Sequence, residues 1–156
     1  MAALAKNPAR LFTTLAQAEM VTWTLLLLGM VAKYVLDLGG LGVRIGGGLH
    51  GFVFLSYVLV TVLVAVDQKW RLGDLIAGLG SAIVPYLTVP FERSALRRGL
   101  LGDAWRLREQ EGRGIADRVV ALVVRRPVPA AIVCLVAIAL VFTGLLAVGP
   151  PTQWFA

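Results

Sequence analysis

Four long apolar runs, separated by glycine-rich or charged breaks, set the pattern of this chain. The first extends from Phe12 to Leu36, with an uncharged centre from Val21 to Ala32 and with Glu19 and Lys33 toward its two ends. The second covers Val43 to Val66, the third Leu72 to Phe91, and the fourth Val128 to Val148. Each has the roughly 20 residues that a helix needs to cross the hydrocarbon of a bilayer. The pattern therefore predicts an all-α integral membrane protein with four transmembrane helices. The breaks fit that reading. Leu38-Gly-Gly-Leu-Gly supplies a turn, and Asp67-Gln-Lys-Trp-Arg is a polar, aromatic-bearing connection of the kind found at the water interface. The third run carries Asp74 near its start and Pro85 and Pro90 in its second half, which predicts a kinked span.

Residues 92–126 depart from this pattern. They hold nine Arg and five acidic residues, with Leu96, Leu100, Trp105 and Leu107 at near-helical spacing among them. The spacing predicts one or two amphipathic helices on the membrane surface, with Ile115 to Val124 as a second piece. Three units follow: a three-helix membrane domain over 9–96, a basic amphipathic interfacial connection over 97–127, and a fourth span with a short tail over 128–156. In that tail, Trp154 and Phe155 read as interface anchors.

Composition sharpens the class. The 156 residues are 58% hydrophobic, mean hydropathy is +0.82 and the net charge is +6. In a water-soluble chain such a charge points to nucleic acid. Here the arginines flank membrane spans, so the partners expected are the bilayer and its anionic headgroups, through Arg93, Arg97, Arg98, Arg106 and Arg108, and no nucleic acid. A count of basic residues in the loops of a four-span chain favours an outside N-terminus, with the basic connection in the cytoplasm. The first run contains Glu19 and lacks a small-residue cleavage site, so it reads as a retained span. The single cysteine, Cys134, lies in an apolar run and can form no intramolecular disulfide.

Ionisable residues at membrane depth are candidates for function. They are His50, Lys33, Tyr34, Arg44 and Glu19. Placing the spans antiparallel groups Lys33, Tyr34, Asp37, Arg44 and His50 at one face, with Tyr86 and Glu92 from the end of the third run. Glu19 lies roughly 21 Å from Lys33 along the helix and is assigned to the other face, with Arg10, Lys69, Arg71 and Asp74. His50 has Gly46, Gly47, Val53 and Phe54 three and four residues away, so no metal motif exists, and no cofactor is expected. A hydrogen bond from His50 to Tyr34 or Tyr86 is the plain alternative to a functional role. The pairs Gly42/Gly46 and Gly47/Gly51 have GxxxG spacing, which lets helix backbones approach closely. Their expected counterpart is the small-residue stripe of Ala77, Gly78, Ser81 and Ala82.

Arg10 and Glu19, Lys33-Tyr34, Val43-Arg44, Gly48-Leu-His-Gly-Phe-Val-Phe, Tyr57, Trp70 and Pro85…Pro90-Phe91 together resemble the YdzA-like bacterial integral membrane domain, domain of unknown function 3817, over about residues 9–96. The resemblance implies a multi-pass protein of the bacterial cytoplasmic (inner) membrane with three packed helices. It implies no activity, and it leans toward an inside N-terminus. Two features depart from the family: Glu19-Met20 stands where members commonly have Glu-Gly, and members commonly lack the basic connection and the fourth span.

No nucleophile–base pair, phosphate loop or paired-carboxylate site appears, so an enzyme is not expected. Two functions are expected instead. One is a non-enzymatic accessory or scaffold subunit of a larger membrane complex, respiratory or transport, or a homo-oligomer. The other is a small transport or proton- or ligand-handling module using His50, Lys33 and Glu19.

Overall fold

A computed structural model describes residues 7–148, apart from the Leu146 side chain; the expected anchors Trp154 and Phe155 lie outside the described residues. The described residues are helical, with no strand: α1 (Pro8–Tyr34), α2 (Leu41–Asp67), α3 (Leu72–Ser81), α4 (Thr88–Arg97), a single 3₁₀ turn at Arg106–Arg108, α5 (Ile115–Arg125) and α6 (Pro127–Val148). Among the described residues, three helices are long and apolar enough to cross a membrane: α1, α2 and α6.

The expected third span is two short helices, so three helices of spanning length, rather than four, stand among the described residues. The break has a local cause. Pro85 has no N–H for the Ser81 carbonyl, and its ring would collide with that carbonyl, so α3 ends at Ser81. Pro90 falls within the first turn of α4, where its missing N–H leaves no bond unmade. Between them Tyr86 takes a left-handed φ of 67°, which reverses the chain.

Helix α4 then returns toward the start of α3. Asp74 at the start of α3 pairs with Arg98 just beyond α4 at 2.6 Å. Trp70 Nε1, just before α3, donates to the Leu100 carbonyl at 2.7 Å. A 10-residue helix rises about 15 Å, half of a bilayer's hydrocarbon. The pair is thus a short hairpin, each arm half the length of a span, packed by the rings of Phe12, Tyr57, Trp70 and Phe91, whose contacting centroids lie 5.2–6.2 Å apart.

The bundle consequently has two unlike ends. At the turn end, α1 passes to α2 through residues 35–40. At the cap end lie the start of α1, the end of α2, the feet of the hairpin, residues 98–114 and α5. Helix α6 leaves the cap end and runs alongside α2, with Phe142 against Gly51.

Residues 98–114 are no amphipathic helix beyond the single turn at Arg106–Arg108. The Asp67 carboxylate at the end of α2, fully buried, accepts the backbone N–H of Arg106 and of Leu107, each at 2.9 Å, and the Gln68 side-chain amide at 2.6 Å. Buried amides satisfied by one carboxylate hold the segment as a compact cap, with Leu101, Trp105 and Leu107 turned inward. The Arg106 guanidinium also turns inward, donating to the Asp67 and Val66 carbonyls at 2.6 and 3.3 Å. Only α5 keeps the helical form expected for this connection.

Candidate functional site in the membrane interior

Helices α1 and α2 come closest at small residues. A Cβ on Gly29 would fall 2.6 Å from the Gly42 carbonyl carbon, and one on Gly46 would fall 2.8 Å from the Leu25 carbonyl oxygen. Gly42 and Gly46 thus face α1, not the small residues of the third run. Gly47 faces the Leu26 side chain, Gly51 faces Phe142 of α6, and Gly78 faces Thr61 and Phe91.

This approach sets the register of the buried polar side chains. Following α1 and α2 away from their shared turn brings His50 opposite Thr22 and Glu19. His50 Nδ1 lies 3.1 Å from Glu19 Oε2 and 3.3 Å from Thr22 Oγ1. The expected division of these residues between two faces is therefore corrected. His50 stands about 15 Å along α2 from Gly40, which removes it from the turn end and places it at the depth of Glu19. Lys33, Tyr34 and Arg44 stay at the turn end, all exposed, with Lys33 Nζ 4.8 Å from the centre of the Tyr34 ring. Glu92 lies toward the cap end, where it accepts a hydrogen bond from Thr13. Asp74, expected with Glu19, belongs instead to the hairpin foot.

Glu19 is fully buried. The 3.1 Å approach of His50 Nδ1 is off the line of a hydrogen bond, so neither carboxylate oxygen has a hydrogen-bond donor among the described residues. Thr22 donates its hydroxyl hydrogen to the Glu19 carbonyl at 3.1 Å, which leaves its oxygen as an acceptor toward His50. With two oxygens able to accept around it, Nδ1 is the ring nitrogen at which a proton would be satisfied. Nε2 then faces away from Glu19, and the His50 side chain retains 12% exposure. The Trp23 ring packs 4.3 Å from the His50 ring, centre to centre.

The hairpin tip closes the site from the third side. Trp23 Nε1 donates to the Ala82 carbonyl at 3.3 Å, Thr24 Oγ1 meets the Tyr86 hydroxyl at 3.3 Å, and Thr88 Oγ1 donates to the Ala16 carbonyl at 3.1 Å. Just below, the hydroxyls of Tyr57 and Ser81 meet at 3.0 Å. Non-helical backbone at membrane depth is tolerated where protein covers it or where it lines a polar cavity. Here side chains of α1 supply its partners. The arrangement holds a carboxylate, an imidazole and several hydroxyls together in an apolar surround. No group of three or more His, Cys, Asp or Glu residues able to hold a metal occurs among the described residues.

Thr22, Trp23, Tyr57 and Asp67 were not among the expected site residues. Thr22 and Trp23 stand three and four positions after Glu19, on its own helix face, and that spacing was a usable signal.

The family model described as a domain of unknown function, number 3817, matches residues 9–97. A Streptomyces coelicolor protein, named provisionally as a membrane protein, is 50% identical over 93 residues. The match takes in 59% of this chain but only 11% of that relative, so the chain spans a small part of the relative's length. No solved structure matches.

Proposed function

The chain belongs to the domain of unknown function 3817 family, and from that premise we propose that it is a small membrane module that handles protons at Glu19 and His50. One observation carries the reading: a fully buried carboxylate without a hydrogen-bond donor stands 3.1 Å from an imidazole nitrogen. A charge left so deep and unpaired is expensive, and such residues mark proton and ion pathways. A proton arriving at His50 Nε2 makes the ring cationic. A small rotation of the ring brings Nδ1 into line with Glu19 Oε2, to which it then releases its own proton, leaving a neutral ring and a neutral carboxyl. The reverse steps restore the starting state. Lys33, on the exposed turn end, takes no part.

Charge gives the module its orientation in a bacterial cytoplasmic membrane. Lys33 and Arg44 are the basic residues of the turn end, and every other described Lys or Arg lies toward the cap end. Positive residues favour the cytoplasm, so the cap end faces inward. This reverses the outside N-terminus expected for four spans. The short hairpin returns residues 98–126 to the side where α1 begins, so the basic groups no longer compete.

Carbodiimide labelling of the membrane-embedded protein tests the reading, since the reagent adds to a protonated carboxyl shielded from water. Labelling at Glu19 that is absent in Glu19→Gln and altered in rate by His50→Ala supports it. Folded wild-type protein that resists labelling at Glu19 across the pH range overturns it.

A second reading, a non-enzymatic accessory part of a larger membrane assembly, is favoured by a different observation. The matching segment of the Streptomyces relative is about a tenth of that protein, so a module of this family is joined there to a much larger chain.

A further inference from the structure

Helix α5 carries apolar residues on two opposite sides. Val120, Ala121 and Val124 are buried in the core. Ile115, Val119 and Leu122 are 82%, 56% and 62% exposed. At 100° per residue these three fall within about 60° of one another, directly opposite the buried side. Arg126 continues the same line.

Beside this stripe is an open groove of about 480 Å³, lined by Arg118, Arg125 and Arg126 with Glu111, Ala121 and Leu122. Arg125 is engaged within the fold, donating from Nε to the Leu107 carbonyl at 3.1 Å and from Nη2 to the Gln110 carbonyl at 2.9 Å. The Arg118 and Arg126 side chains are exposed, with no ion pair or side-chain hydrogen bond among the described residues. Pro127 follows at once and opens α6, the most apolar span. The groove thus stands at the elbow where the chain enters its last span.

We infer that this elbow binds the phosphate of an anionic phospholipid, with Arg118 and Arg126 on the headgroup and the Ile115, Val119 and Leu122 stripe against its acyl chains. Three arginines against one glutamate give the groove a positive balance. Leu122 belongs to both groove and stripe, so the bound anion is one that carries hydrocarbon with it. An amphipathic helix with arginines on its flank and aliphatic residues on its outer face fits the boundary between headgroups and acyl chains. This site is separate from Glu19 and His50, and it shifts the lipid contact from the arginines expected from sequence, of which Arg98 and Arg106 pair inside the chain.

Native mass spectrometry of the full chain, released from mild detergent with defined lipids, tests the inference. Wild-type protein retains phosphatidylglycerol in preference to phosphatidylcholine. The Arg118→Gln/Arg126→Gln protein loses about fivefold in affinity for each arginine removed, whereas Arg44→Gln, at the opposite end, retains phosphatidylglycerol as wild type does. Equal retention by Arg118→Gln/Arg126→Gln and wild type overturns the inference, as does an equal loss in Arg44→Gln. Displacement of the lipid by inorganic phosphate at similar concentration also overturns it, by making the groove a site for a free anion. If the double variant does not fold, the wild-type protein decides. Its preference for phosphatidylglycerol must fall with rising salt, and a preference indifferent to salt sinks the proposal.

Discussion

Arg98 and Asp74 close the short hairpin of α3 and α4 at its foot, with Nη1 and Oδ1 2.6 Å apart. The Arg98 side chain is 47% exposed, so water screens the pair, and an ion pair of this kind contributes at most about 1 kcal/mol. Asp74→Ala should lower the unfolding midpoint in detergent only slightly. A double-mutant cycle with Arg98→Ala should give a coupling of at most about 1 kcal/mol.

Asp67 behaves differently, because its carboxylate is buried and accepts from two backbone amides. Asp67→Ala leaves both amides without an acceptor, and each buried unpaired group costs about 1–3 kcal/mol. The expected loss is several times that of Asp74→Ala. Limited proteolysis should detect it first between residues 98 and 114, where the cap is released, with α1 and α2 still protected.

The glycines of α2 divide sharply by position. A Cβ at position 46 meets the Leu25 backbone, which cannot move without shifting α1. Gly46→Ala should therefore destabilise by about 1–3 kcal/mol. Gly48 has nothing within 4 Å of the same atom. Gly48→Ala should be neutral or stabilise by up to about 1 kcal/mol, since alanine is the better helix residue. Equal effects at the two positions would contradict the helix approach described above.

Orientation can be read by thiol labelling in a Cys134→Ser background. In right-side-out vesicles, Leu38→Cys at the turn end should react with an impermeant maleimide, and Glu109→Cys on the cap should react only after permeabilisation. Labelling of both from one side would mean that residues 72–97 cross the membrane as a full span. Labelling of Glu109→Cys alone would place the cap outside.

The membrane class was legible because apolar length alone carries it, and α1, α2 and α6 follow the runs closely. The break into a short hairpin was written in Pro85 and Pro90, five residues apart. A helix kinked at the first must still satisfy the Ser81 carbonyl, and breaking there removes the demand. At the site, sequence and structure differ over depth rather than chemistry. Antiparallel placement of the runs groups His50 with Lys33 and Arg44 because they share a connection, although ten residues of helix separate it from Gly40. Counting back equally along both helices from the turn would have set it against Thr22. The cap was not legible at all. Nothing in the spacing of Asp67, Arg106 and Leu107 shows that one carboxylate would take up two amides some forty positions away.

The hairpin also has a consequence for parity. A segment that enters halfway and returns adds nothing to the number of crossings, so the stretch covered by the family match begins and ends at one end of the bundle. Such a stretch can be spliced into a longer membrane chain without inverting anything downstream. Helix α6 changes this, because one more crossing is odd. With the topology proposed above and α6 crossing as its length and hydropathy allow, whatever is joined beyond it would lie across the bilayer from whatever precedes α1, and the module would act as an inverter rather than a neutral insert.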